Sequence, residues 1–116
     1  MKVIVVGIPT CGTVKKARKW LDAHDIEHDW LDLRKTPPAP ERVAGWVASL
    51  GAKAMRNTSG GSYRALGPEK ADWTDDQWTT AFQGDVMLLK RPLVEIDGEA
   101  VAVGFKDSAF EGLFGD

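Results

Sequence analysis

The sequence predicts an α/β protein: a mixed sheet of about four strands, with flanking helices and a helical insertion in the middle of the chain. Three observations carry this expectation. Lys2-Val3-Ile4-Val5-Val6 is a short apolar run rich in β-branched residues, followed by a turn, an amphipathic helix and a second strand-like run. Near the other end, Leu93-Val94-Glu95-Ile96 and Ala100-Val101-Ala102-Val103 flank Asp97-Gly98, a strong hairpin signal. Between these halves, helix-periodic segments alternate with Gly- and Pro-rich breaks. A strand, a crossover helix and a second strand imply a parallel pair, to which the hairpin adds antiparallel strands.

Each element follows from its local pattern. The first helix carries Val14, Ala17, Leu21 and His24 on one stripe with Trp20 beside it, while Lys15, Lys16, Lys19 and Asp22 face away. Asp29-Trp30-Leu31-Asp32-Leu33 reads as the second strand, with its buried face left open between Trp30 and the Leu31, Leu33 pair. Pro37, Pro38 and Pro40 break the chain before a helix with Val43, Trp46, Val47 and Leu50 in helical register. Pro40 suits its first turn, and Gly51 its end. Residues 51–67 are Gly- and Ser-rich and read as an irregular, mobile segment. Thr74-Asp75-Asp76-Gln77 is a capping box that opens a short helix with Trp78, Ala81 and Phe82, broken at Gly84. A last helix presents Ala109, Phe110, Leu113 and Phe114.

Composition narrows the classes. The 116 residues, 43% hydrophobic and 28% charged, predict one domain over residues 1–116 with a single core. A formal net charge of −2 provides no overall field for nucleic acid or an anionic membrane. No apolar run approaches the length of a membrane span. The N-terminal apolar run is too short for a signal peptide, so a cytoplasmic location is expected. His24 and His28 straddle a helix end and lack further ligands on a shared face, so no metal is expected. The five tryptophans sit at apolar-stripe or cap positions and read as packing residues.

The chemistry concentrates at Cys11, the only cysteine. Pro9-Thr10-Cys11-Gly12-Thr13 forms the turn between the first strand and the first helix. At a helix N-terminus, unpaired N–H groups and the helix dipole favour an anion, and Lys15 and Lys16 add positive charge. All of this favours the thiolate, which is the nucleophile. The alternative is a small buried hydrophobe, a common fate of a lone cysteine.

A strand followed by a cysteine so placed, with these later elements, resembles the thioredoxin-like arrangement. The run from Pro9-Thr10-Cys11-Gly12-Thr13 to Lys19-Trp20-Leu21 resembles the signature of the glutaredoxin-type arsenate reductase family, which includes the Spx and YffB proteins. Lys90-Arg91-Pro92-Leu93, Val103-Gly104-Phe105 and the loop from Arg56 to Arg64 are similar to further family segments in the same order. The resemblance spans nearly the whole chain and is nearest to the YffB branch, small proteins proposed as glutathione-dependent thiol reductases.

The resemblance implies a cis-proline facing the thiol, matched by Pro92. It also implies an arginine beside the thiol, matched by Arg91, which would hold a thiolate or an anionic substrate. Thr10, Gly12, Thr13 and Lys15 would complete the substrate and glutathione-binding rim. Dithiol sites of this fold are Cys-x-x-Cys, but here the fourth position is Val14. Any disulfide of Cys11 must therefore join another molecule, glutathione or a protein thiol. The expected function is a glutathione-dependent monothiol oxidoreductase with no bound cofactor and glutathione as cosubstrate. Arsenate reductases of this family use three arginines. Arg91 matches the second, the first falls near Ser59 with Arg56 and Arg64 close by, and the third falls at Gly104-Phe105-Lys106. Arsenate reduction at a degenerate oxyanion site is one alternative. The other is an Spx-like regulator that binds RNA polymerase, although Val14 removes the usual Cys-x-x-Cys switch.

Overall fold

The computed structural model describes residues 1–115. Strand β1 (Val3–Gly7) leads into helix α1 (Gly12–Ala23) and strand β2 (Asp29–Asp32). Helices α2 (Pro40–Leu50), α3 (Ala52–Met55) and α4 (Gly61–Arg64) follow. A 3-10 turn, Pro68–Asp72, precedes α5 (Asp75–Gly84), and another, Val86–Leu88, precedes strand β3 (Leu93–Ile96). Strand β4 (Glu99–Val103) and helix α6 (Asp107–Phe114) complete the order. The sheet runs β2-β1-β3-β4, parallel between β1 and β2 and antiparallel elsewhere. This is the mixed four-stranded sheet that the sequence predicts.

Alternation along the strands divides the core into two layers. Val3, Val5 and Val94 pack with Ala17, Leu21 and Phe110, beneath α1 and α6. Val6, Leu93 and Ala100 join Val43, Trp46, Trp78 and Phe82, beneath α2 and α5. The open question over β2 resolves through the same alternation. Trp30 packs with the first layer, under the Arg18 guanidinium at 4.6 Å, while Leu31 and Leu33 pack with the second. The hairpin forms as expected, with Asp97 at φ 52° and Gly98 at φ 85°. The Thr74–Gln77 capping box also forms, with both of its reciprocal bonds.

Two expectations change. His24 is not on the buried stripe: α1 ends at Ala23, and His24 is an exposed cap residue whose ring stacks on Trp20 at 3.8 Å. Residues 51–67 are not irregular throughout. Ala52 and Met55 are fully buried and anchor α3, and α4 forms a further turn. Asn57 N–H donates to Leu88 O and Lys90 N–H to Met55 O, which ties this segment to the approach to β3.

One buried charge stands within the second layer. Glu95 on β3 is 4% exposed and accepts two bonds from Arg42, at 2.7 and 3.0 Å, and one from Trp46 Nε1 at 2.6 Å. Burial pushes its carboxyl pKa up, but the bonds from Arg42 and Trp46 outweigh that, and the net shift is downward. The bond that Arg42 donates to Glu95 likewise holds Arg42 above its ordinary value, against the opposing effect of burial.

Candidate thiol site

Cys11 is the N-cap of α1, with extended backbone (φ −81°, ψ 119°). Its N–H donates to Ile8 O, closing the turn after β1, and its carbonyl accepts from Lys15 N–H in the first helical bond. No side chain caps this helix start, so the thiol stands half-buried beside uncapped N–H groups. Val14, one turn further on, is 1% exposed in contact with the core. A residue at that position is committed to packing, and here it carries no thiol.

Cys11 and Thr13 form one wall of a cavity of about 590 Å³. Ala54, Asn57 and Ser59 form a second wall, on and after α3. Lys90 and Arg91 border it before β3, and the stretch from Ala102 to Lys106, with Ala109 of α6, closes the remaining side. The Arg91–Pro92 peptide is cis, as the resemblance implies. Pro92 is buried, and its carbonyl accepts from Gly104 N–H at 2.7 Å, tying the two sides together. Arg91 Nη1 donates to the carbonyls of Met87 and Leu89 at 3.3 and 3.0 Å. Its Nε is buried and has no partner among the described residues.

The structure thus brings Cys11, Thr13 and Arg91 to one cavity, with Pro92 behind it. Thr10, Gly12 and Lys15 are exposed and lie outside the lining. Neither of the two arginines close by in sequence, Arg56 and Arg64, is in the lining. The Arg56 guanidinium stacks on Trp78 at 4.3 Å, and Arg64 Nη1 donates to Ser59 O. Ser59, the position equivalent to the first family arginine, does line the cavity, and so does Lys106 near the third. Lys90 was missed as a site residue. Its only signal was adjacency to Arg91-Pro92, which says nothing about the course of its side chain.

Among the described residues no helix is long and apolar enough to cross a membrane. No group of three or more His, Cys, Asp or Glu is arranged among them to hold a metal.

Comparison with known proteins agrees with this fold. The chain is 38% identical over 107 residues to the uncharacterized protein YusI of Bacillus subtilis, covering 89% of this chain and 90% of that one. It is 24% identical over 107 residues to the global transcriptional regulator Spx of Lactiplantibacillus plantarum, covering 90% of this chain and 80% of that one. A solved YffB protein superposes with a TM-score of 0.85 at 32% identity, over 95% of this chain and 96% of that one. The family model described as ArsC family matches residues 6–113. With a thioredoxin-like sheet, a cysteine at the first helix start and a cis-proline beside it, the chain belongs to the ArsC family.

Proposed function

We propose that this protein is a monothiol oxidoreductase that exchanges its Cys11 thiol with disulfides and uses glutathione, or a protein thiol, as the resolving partner. The observation that carries this reading is the pairing of one half-buried cysteine, at an uncapped helix start, with a cation-lined cavity. The Cys11 thiolate attacks one sulfur of a disulfide. That S–S bond breaks, a new one forms to Cys11, and the leaving thiolate takes a proton from water. A second thiol, as its thiolate, then attacks the mixed disulfide, forms a disulfide with the bound half and regenerates Cys11. No second cysteine exists to do this within the chain. Thr13 and the N–H groups of Gly12 and Thr13 at the helix start would stabilise the sulfur anion, with Arg91 as a fixed cation in the wall.

A turnover assay comparing glutathione-coupled disulfide reduction with arsenate reduction tests this directly. Disulfide turnover, and a single glutathione adduct that disappears in Cys11→Ser, is the expected result. Arsenate turnover without disulfide turnover would replace this reading with that of a degenerate arsenate reductase. The placement of Arg56 on Trp78 weighs against that outcome. The likeness to Spx supports a second reading, a regulator that contacts RNA polymerase. Recovery of RNA polymerase in a pull-down, with no disulfide turnover, would favour it.

A further inference from the structure

We propose that Lys90 and Lys106 make the Cys11 cavity selective for carboxylate-bearing thiol compounds and disulfides. The inference deepens the reading of Cys11 as an exchanging thiol and rests on it. Three cations, Lys90, Arg91 and Lys106, line the cavity, and among the described residues no aspartate or glutamate does. None of the three is in an ion pair among the described residues, whose one salt bridge, Arg42–Glu95, lies outside the cavity lining. The net charge of the chain is −2, so this local excess of positive charge is not an overspill of a basic protein.

Backbone adds to the same field. Two helices begin at the cavity: α1 with Cys11 as its N-cap, and α6 with Lys106 as its N-cap. Neither N-cap side chain accepts a bond from its helix. Two helix N-terminal ends therefore border one space, with Asp107 in the first turn of α6 lying outside the lining. The groove at the opposite end of the sheet differs: it mixes Arg18 and Lys2 with Asp22, Glu27 and Asp29.

The cations are not equivalent. Arg91 spends Nη1 on two backbone carbonyls, which fixes its guanidinium in the wall, with Nε left without a partner among the described residues. The two lysines make no side-chain hydrogen bond among the described residues and offer point charges. Lys90 is laid across Gly104, where a Cβ would stand 3.2 Å from its Cε and 3.6 Å from its Nζ. Gly104, at φ +80°, accommodates both the turn and the lysine stem. Separate point charges beside a nucleophilic sulfur suit carboxylates carried on a flexible thiol compound better than they suit one compact oxyanion.

The test compares disulfides of different charge. The rate constant of Cys11 with dianionic dithiobis(nitrobenzoate) is divided by that with uncharged dithiodipyridine. The quotient is normalised to that of free mercaptoethanol, which cancels the intrinsic reactivity of the two reagents. The wild-type quotient should exceed that of mercaptoethanol. In the Lys90→Met, Lys106→Met double variant it should fall by about tenfold, the lower end of electrostatic rate focusing. The Lys90→Arg, Lys106→Arg variant should recover it, and added salt should erode it. The Lys16→Met, Lys19→Met control loses the same charge on the solvent face of α1 and should keep it. An unchanged quotient in the Lys90, Lys106 variant, an equal fall in the control, or no reaction with either disulfide would overturn the proposal. This exchange is stoichiometric. A preserved quotient effect without glutathione turnover would therefore refute the glutathione reading alone.

Discussion

Arg42 and Lys90 are both cations beside β3, yet Arg42 meets a buried carboxylate and Lys90 meets none. On the α2 side, the Arg42 guanidinium makes a bidentate bond to Glu95, which Trp46 also donates to. Each charge there has its partner within the fold, so the group serves cohesion. At the Cys11 cavity the cations Lys90, Arg91 and Lys106 share the lining with no acidic residue among those described. Positive charge left without a counter-charge beside a thiol is poorly explained by stability. It is well explained by an anionic ligand that arrives from outside.

Four changes would break or sharpen that contrast. The largest effect belongs to Cys11→Ser, which should abolish glutathione addition and disulfide turnover while leaving the urea midpoint close to wild type, as read by mass shift and denaturation. Next is Arg42→Ala. It strands the Glu95 carboxylate, and since the Arg42 side chain is itself 32% exposed, the loss should be about 2–3 kcal/mol, below the range for a fully buried pair. An urea midpoint within error of wild type would show that Glu95 finds water or another donor.

Acidification reads the same pair without removing it. Burial raises the Glu95 pKa, but the bonds from Arg42 and Trp46 carry it below the ordinary glutamate value. The unfolded chain then binds more protons than the folded one. The stabilisation is present above the unfolded pKa, about 4.3, and is lost as pH falls through the lower folded value. The wild-type urea midpoint should therefore drop more steeply below about pH 4.3 than that of Glu95→Gln. Parallel curves would mean that the pair does not govern acid stability. The smallest effect on stability is expected from Gly104→Ala, about 1 kcal/mol for a left-handed residue, together with a lower preference for anionic disulfides as Lys90 is displaced. Loss of stability with the preference intact would separate the glycine from the lysine.

Much of this was legible in the chain. β1, α1 and the hairpin follow from local rules: β-branched runs, helical spacing of Val14, Ala17 and Leu21, and Asp97-Gly98 at a tight turn. The Thr74–Gln77 box forms for the same reason, since its partners lie three residues apart. Residues 51–67 misled because Gly and Ser content signals permissive backbone, while Ala52 and Met55 found burial only once α2 and α5 had assembled around them. Glu95 sits in an apolar strand pattern, and nothing local announced that Arg42, 53 residues away, would reach it.

By itself the sequence determined the order of the main elements, the place of the single cysteine and its isolation. Cys11 follows the first strand, Val14 replaces a resolving thiol, and Pro92 stands before the hairpin. Only the tertiary structure decided which charges meet that thiol. Lys15, four residues away, points outside the cavity, while Lys90 and Lys106, about eighty to ninety-five positions distant, line it. The physical reason is that periodicity assigns the faces of one element, whereas a cavity forms where the ends of several elements converge. That convergence is set by strand pairing, which brings the two helix starts to the same end of the sheet.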